Sequence, residues 1–369
     1  MRTASVAWKA KSGRVLWYAL PLCVLASALV IVVGLRRAEA PKTFRPAANP
    51  PGNPVSISET RSMLGTYLTL TVVAESEPKA RADIAAGFER IAELDAVMSS
   101  YRPDSELSRL NAHAGRGPVV VSDDLYRAVA AGVIWCGRTL GTFDIAVRPL
   151  VELWQTCGKL NRLATPDEFA RVKPLLGADR IILDPAARTI RFPVEGMRLD
   201  LGGLKGYIAD EVTKLLVRRG VKSALVALAG DIHALGRKLG GGPWRVGVQD
   251  PRSPHSPDKV VTVLEISDQG VSTSGNYERF VEIQGRRYSH IVDPRTCQTA
   301  EAVPSVTVIA PDTVTSDILC KPLSILGVQD GLALLEKFPR VEALFITYDE
   351  KGELRLTRSK GFAAYETKQ

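Results

Sequence analysis

The stretch Ser305-Val306-Thr307-Val308-Ile309-Ala310-Pro311-Asp312-Thr313-Val314-Thr315-Ser316-Asp317-Ile318-Leu319-Cys320-Lys321 changes periodicity partway along its length. Residues 305–309 read as a strand-like run, and Thr313 to Leu326 carry an apolar helical pattern. A second helical pattern, Gln329 to Phe338, leads to another strand-like run at Val341 to Thr347. Further strand-like runs lie upstream at Ser223 to Ala229, Trp244 to Val248 and Val260 to Ile266, with a helical segment at Tyr207 to Arg219 before them. Near the start of the folded body Leu68, Leu70 and Val72 alternate, then Ile84, Phe88, Ile91, Leu94 and Met98 recur at helical spacing. Ser122-Asp123-Asp124 caps another helix that stops near Gly141, and Thr165-Pro166-Asp167-Glu168 forms a capping box with proline at the first helical position. Helices inserted irregularly among strands predict an α+β arrangement rather than a regular βαβ repeat.

The N-terminus has a different character. Val15 to Leu35 contains no charge and is long enough to cross a bilayer, which takes roughly 20 residues. Arg2, Lys9, Lys11 and Arg14 precede it, and Arg36 and Arg37 follow, so the positive-inside rule places residues 1–14 in the cytoplasm and the body outside it. Ala38-Glu39-Ala40 before Pro41 has the small-x-small form of a signal cleavage site, so a cleaved signal competes with an anchor. The apolar run exceeds a usual signal core and proline directly after a cut is unfavourable, which favours the anchor. Residues 36–58, with five prolines from Pro41 to Pro54, read as a semi-extended tether, and residues 59–369 as the folded body.

The net charge of +8 is carried largely by that N-terminus. Residues 1–40 hold six of the 48 Lys and Arg and one of the 40 Asp and Glu, leaving 42 basic against 39 acidic residues. With no basic stripe bearing interleaved aromatics, a nucleic-acid partner is not expected. Cysteines stand at 23, 136, 157, 297 and 320, without CxxC or metal-ligand spacing. Free buried thiols are the expectation for the four in the body, although an oxidising exported compartment leaves pairing open.

Upstream of the opening stretch, Tyr288-Ser289-His290-Ile291-Val292-Asp293-Pro294-Arg295-Thr296 joins an imidazole, a carboxylate and a rigid turn. His290 titrates near neutral pH and is a candidate general base, with Asp293 to orient it or to bind substrate. A strand-end histidine bonded to backbone is the plain alternative. This stretch, with Ser316-Asp317 after it, resembles the "SH.IDPRTG" and "ADA.AT" segments of the ApbE family of FAD:protein FMN transferases. Further blocks are similar and fall in the same order: Leu64-Gly65-Thr66, Ser100 to Asn111, Gly141-Thr142-Phe143-Asp144, Leu199 to Gly206, Ala229-Gly230-Asp231-Ile232 and Ser272 to Tyr277.

The resemblance implies a T-fold-like α+β architecture with mixed or antiparallel sheets. It implies a transferase that moves FMN from FAD to a Ser or Thr hydroxyl of an exported redox-protein domain, releasing AMP, on the periplasmic side of a bacterial inner membrane. FAD would be held by Leu64, Tyr101, Thr142, Phe143, Asp144, Asp200, Lys205 and His290, with His290 and Asp293 catalytic. Mg²⁺ would be held at Gly203, Asp317 and the position of Lys321. There the family has Thr, and a lysine at i+4 shares the helical face of Asp317. Its ammonium would pair with that carboxylate, take the cation's place or block the metal, so altered metal dependence is expected. Cys297 replaces a family glycine and Cys320 precedes Lys321. If those segments meet as they do in the family, a Cys297–Cys320 disulfide becomes conceivable. The Leu199–Gly206 segment is one residue shorter than the family loop. Two other activities remain open on the same scaffold: a flavin-binding or delivery protein with impaired catalysis, and a pyrophosphatase that splits FAD without an acceptor.

Overall fold

The computed structural model describes residues 53–367 except 254, 255, 257, 277 and 278. The expected cytoplasmic segment, the apolar run and most of the tether lie outside the described residues. The chain enters through a hairpin of β1 (Val55–Met63) and β2 (Thr66–Ala74), followed by α1 (Glu77–Met98), α2 (Glu106–Ala112) and β3 (Val119–Val120). A helical stretch of α3 (Asp123–Arg138), α4 (Arg148–Leu160) and α5 (Pro166–Val172) precedes β4 (Ile182–Asp184) and β5 (Thr189–Arg191). Next come α6 (Lys205–Arg218), β6 (Ala224–Leu228), β7 (Asp231–Leu235), β8 (Trp244–Gln249), β9 (Val260–Ile266) and β10 (Gln269–Gly275). The chain ends with β11 (Phe280–Ile283), β12 (Arg286–Ser289), β13 (Ser305–Ala310), α7 (Thr313–Leu335), β14 (Glu342–Tyr348) and β15 (Leu354–Arg358).

Eight strands form the central sheet in the order β1-β2-β6-β7-β10-β13-β14-β15, and every pairing is antiparallel. The inner strands read as continuous apolar runs because the sheet is covered on both faces. Val226, Val306, Val308 and Phe345 point into a core shared with α1, α6 and α7, while Leu225, Ile309, Leu344 and Ile346 point into a second core under the β8–β9 hairpin and Phe362. A third cluster, built on Leu150, Trp154 and Cys157 of α4 with Ile283, Val292 and Cys297, supports the loop after β12.

Several sequence expectations reappear with their local causes. Ser122 caps α3 by accepting from Leu125 N, and Thr165 and Glu168 form the reciprocal capping box. The two helical patterns after Thr313 form one element broken at Gly327, whose φ of 78° is non-helical. The tether boundary needs correction: Val55 to Ser58 pair with Thr71 to Ala74 as the start of β1, so the strand begins inside the segment read as tether. Val55 and Ile57 gain cover from the main core there, which an unpaired tether would not provide.

α7 is the one helix among the described residues that is long and apolar enough to span a membrane, but half of its most apolar window is buried. Its residues Ile318, Leu319 and Leu323 lie in the main core, the position of a core helix. No disulfide joins Cys297 to Cys320. Both thiols are free and buried, Cys320 of α7 in the main core and Cys297 in the cluster under α4.

Candidate active site

The chemistry-bearing residues converge where α6 crosses α7. Gly206, in the first turn of α6, permits the crossing. A Cβ there would lie 2.2 Å from Thr313 O and 2.7 Å from Asp317 Cβ. At that distance Gly206 N donates to Asp317 Oδ2 at 2.8 Å. Asp317 is buried and lies in the second turn of α7. The N-terminal amides of α7 are already used: Asp312 accepts from Thr315 N, and Asp210 of α6 accepts from Thr313 N and Val314 N.

One turn further on, Lys321 folds back along its own helix. Its ammonium contacts Asp317 Oδ1, donates to Asp317 O at 2.8 Å and reaches Gly203 O at 3.3 Å. Lys205, which opens α6, pairs with Asp231 Oδ2 at 2.9 Å. Gly203, Asp317 and Lys321 therefore meet, but around an ammonium. Burial first and Lys205 second draw the Lys321 pKa down to about 7, against the carboxylate of Asp231. Direct contact with the Asp317 carboxylate favours the charged form. A protonated lysine has no lone pair to offer, and among the described residues no group of three His, Cys, Asp or Glu is placed to hold a metal. As they stand, these residues do not fit Mg²⁺, which needs oxygen ligands in near-octahedral array.

A second group flanks this corner. Asp200 accepts from Gly202 N at 2.8 Å and Ser100 Oγ at 3.2 Å, and pairs with Arg148 Nη1 at 3.1 Å. The Arg148 guanidinium lies 4.8 Å from the centre of the Tyr101 ring. Tyr101 is 66% exposed, so most of this aromatic surface is open for stacking. Arg148 was not singled out from the sequence. Its signal is a cation in the first turn of α4, where the helix dipole disfavours positive charge.

His290 follows β12 directly, and its Nδ1 donates to Arg279 O at 2.8 Å. That bond fixes the ring and leaves Nε2 free of the backbone. Asp293, expected to orient the ring, does not do so: its carboxylate accepts from Arg295 N at 2.9 Å and from the Arg295 guanidinium at 2.9 and 3.0 Å. The order of the loop explains this, because Asp293 closes its own turn to Arg295 and Cys297 N donates to its carbonyl at 2.8 Å. His290 is accessible to solvent, yet the surrounding protein crowds its ring. That crowding pushes its pKa down to about 4, opposed by the bond to the Arg279 carbonyl and aided by the charges of Arg279, Lys205 and Lys321. Accessibility and crowding pull in opposite directions. The downward direction stands because three cations act with the crowding.

The remaining expected flavin contacts are structural in their visible bonds. Thr142 Oγ1 donates to Thr139 O at 2.6 Å. Asp144 is buried and accepts from Ala146 N, Gly177 N and Ala178 N at 2.7, 2.8 and 3.0 Å, tying the 141–146 loop to residues 177–178. Burial nevertheless raises its pKa. Phe143 is buried and faces Gly203, 3.9 Å from the position of a Cβ there. Asp200 N donates to Ile145 O at 2.8 Å, so this loop holds Asp200 in place. Leu64 sits at the tip of the β1–β2 hairpin with φ 54°. A cleft of about 430 Å³ includes Gly141, Asp144, Lys173 and Arg295 but none of Asp200, Lys205, His290 or Lys321, so it is separate from the polar cluster.

A model of the ApbE family matches residues 64–345. The FAD:protein FMN transferase of Treponema pallidum is 35% identical over 315 residues, covering 80% of this chain and 85% of its own. That of Klebsiella pneumoniae is 32% identical over 262 residues, covering 70% and 80%. Among solved structures, the apo form of the Pseudomonas stutzeri flavinyl transferase ApbE superposes with a TM-score of 0.74 at 30% identity, covering 85% of this chain and 97% of that one. The ApbE protein of Thermotoga maritima gives 0.74 at 28% identity, covering 85% and 100%. The match runs from the β1–β2 turn into β14 and takes in both helices of the crossing, and on that extent the chain belongs to the ApbE family.

Proposed function

We propose that this protein is an FAD:protein FMN transferase, as its relatives are named. The observation that carries the reading is His290, fixed through Nδ1 on Arg279 O with Nε2 unbonded to backbone, while crowding and the charges of Arg279, Lys205 and Lys321 favour its neutral form. A neutral imidazole in that position accepts the proton of an incoming Ser or Thr hydroxyl. The hydroxyl oxygen forms a new bond to the FMN-side phosphorus, the pyrophosphate P–O bond breaks, and AMP leaves with the bridging oxygen. Lys205 and Lys321 lower the cost of negative charge on the phosphates, while Tyr101, Arg148 and Asp200 hold the dinucleotide.

The N-terminal residues, most of them outside the described part, support the setting. The apolar run 15–35 anchors the chain in a bacterial inner membrane, and residues 36–54 hold the body on the periplasmic side, where the acceptor is an exported domain of a flavin-carrying redox protein. The Lys321 ammonium beside Asp317 favours a second reading, a flavin carrier with impaired catalysis on the same scaffold. Acceptor mass and AMP release, followed with FAD and a panel of exported acceptor domains, separate the two. A mass gain of one FMN phosphoester with AMP formed in step supports the transferase. FAD binding with an unmodified acceptor supports the carrier, and AMP release without any acceptor indicates pyrophosphatase activity.

A further inference from the structure

We infer that Lys321 is a resident cation that stands in for a divalent metal at the α6–α7 crossing, so that this protein holds the corner together and binds the diphosphate of FAD without Mg²⁺. The inference rests on the flavin reading above and goes beyond it by assigning how this chain meets the charge of its donor. The cage is made of oxygens. Asp317 Oδ1, Asp317 O and Gly203 O all point at the Lys321 ammonium, which has three protons to give them. Left without a cation, the buried Asp317 carboxylate would keep an uncompensated charge.

The cation is built in by the fold. Lys321 is four residues beyond Asp317, so the helix sets the distance between them. The lysine stem passes alongside Gly203, its Cε 3.7 Å from where a Cβ would stand, an ordinary contact distance. The other carboxylate oxygen of Asp317 is held by Gly206 N at 2.8 Å. Both ends of the carboxylate are therefore engaged, one by α6 and one by Lys321. Of the three ammonium contacts, that to Gly203 O is the longest at 3.3 Å, and it is the one an arriving phosphate oxygen exchanges most cheaply.

Lys321 and Lys205 are balanced in charge by Asp317 and Asp231, so the corner attracts a diphosphate less strongly than one filled by a divalent ion would. Replacing the lysine by threonine removes the ammonium and supplies a hydroxyl oxygen, a change that creates metal dependence.

The test uses the full chain in detergent, stripped with EDTA, with FAD affinity and melting temperature measured in EDTA and in millimolar Mg²⁺. For the unmodified protein we expect affinities within about twofold of each other and a melting temperature indifferent to Mg²⁺. Lys321→Thr is expected to bind FAD at least about tenfold more weakly in EDTA and to recover on adding Mg²⁺. Lys321→Met, with neither charge nor oxygen, is expected to be weak in both buffers. Should Lys321→Thr not fold, the unmodified protein decides alone. A Mg²⁺ requirement for FAD binding by the unmodified protein, or a melting temperature raised by Mg²⁺, overturns the inference and leaves the transferase reading standing. No FAD binding in either buffer overturns the flavin reading, and the inference falls with it.

Discussion

Arg148 Nη1 lies 3.1 Å from Asp200 Oδ2, which couples the first turn of α4 to the segment that enters α6. The same guanidinium covers Tyr101, so one side chain places both a carboxylate and an aromatic ring. Arg148→Ala is expected to weaken FAD binding by about tenfold or more, because it frees Tyr101 and leaves Asp200 half paired. Arg148→Lys should restore only part of the loss, since an ammonium lacks the planar fork. Fluorescence titration with FAD measures both. An affinity for Arg148→Ala equal to the unmodified protein would show that Tyr101 and Asp200 need no such coupling.

His290 carries a pH signature. Its pKa is pushed to about 4, below the ordinary 6.5, so the folded protein binds fewer protons there than the unfolded chain. The contribution to stability is present above pH 6.5 and is lost as pH falls from 6.5 toward 4. In catalysis the imidazole stays neutral through the same window, so the acid limb of kcat/KM for AMP release is expected below about pH 5 and not near 6.5. His290→Gln should lower kcat by about 10²–10⁴ while FAD affinity stays within a few fold. An acid limb at 6.5 that persists in His290→Gln would remove the histidine from the role of base.

The fold was largely legible because its signals are local. Ser122, Thr165 and Glu168 cap helices through bonds three residues away, and the apolar runs of β6, β13 and β14 follow from burial on both sheet faces. The site was legible only in part, because its decisive bonds cross long stretches of chain. Arg148 meets Asp200 across 52 residues, Lys321 meets Gly203 across 118, and neither distance leaves a periodicity to read. Asp293 looked like the partner of His290 because it is three residues away, but the ring is held instead by Arg279 from the neighbouring β11 end. Thr142 and Asp144 were expected to hold FAD; the bonds they make are within the fold, Thr142 to its own loop and Asp144, which also borders the cleft, to residues 177–178. Polarity in a motif does not say which way the polar atom points.

The four described cysteines provide a direct check on the core. All are buried, and burial raises the thiol pKa of each, so none has a reactive thiolate. Alkylation of native protein is expected to be slow at Cys136, Cys157, Cys297 and Cys320. In denaturant without reductant, peptide mapping should find all four modified. Recovery of a peptide pair linked through Cys297 and Cys320 would mean that the segments around them move closer than the structure places them.

Gly206 tests the helix crossing on which the whole corner depends. An added methyl would sit 2.2 Å from Thr313 O and 2.7 Å from Asp317 Cβ, and the backbone oxygen cannot swing aside as a side chain would. Gly206→Ala must therefore push α6 from α7, which costs about 1–3 kcal/mol or more as overpacking. The displacement also stretches the 2.8 Å bond from Gly206 N to Asp317 Oδ2, a bond to a charged group worth about 1.5–3 kcal/mol. The urea midpoint should fall, and FAD affinity should fall further than stability alone explains, because Asp317 no longer presents Oδ1 to Lys321. Gly203→Ala is the matched control: its nearest neighbours would be 3.7 and 3.9 Å away, ordinary contact distances. Its stability is expected within about 0.5 kcal/mol of the unmodified protein. Equal midpoints for the two variants would show that α6 and α7 do not approach as closely as Gly206 allows, and the arrangement of Asp317 and Lys321 would then have to be sought elsewhere.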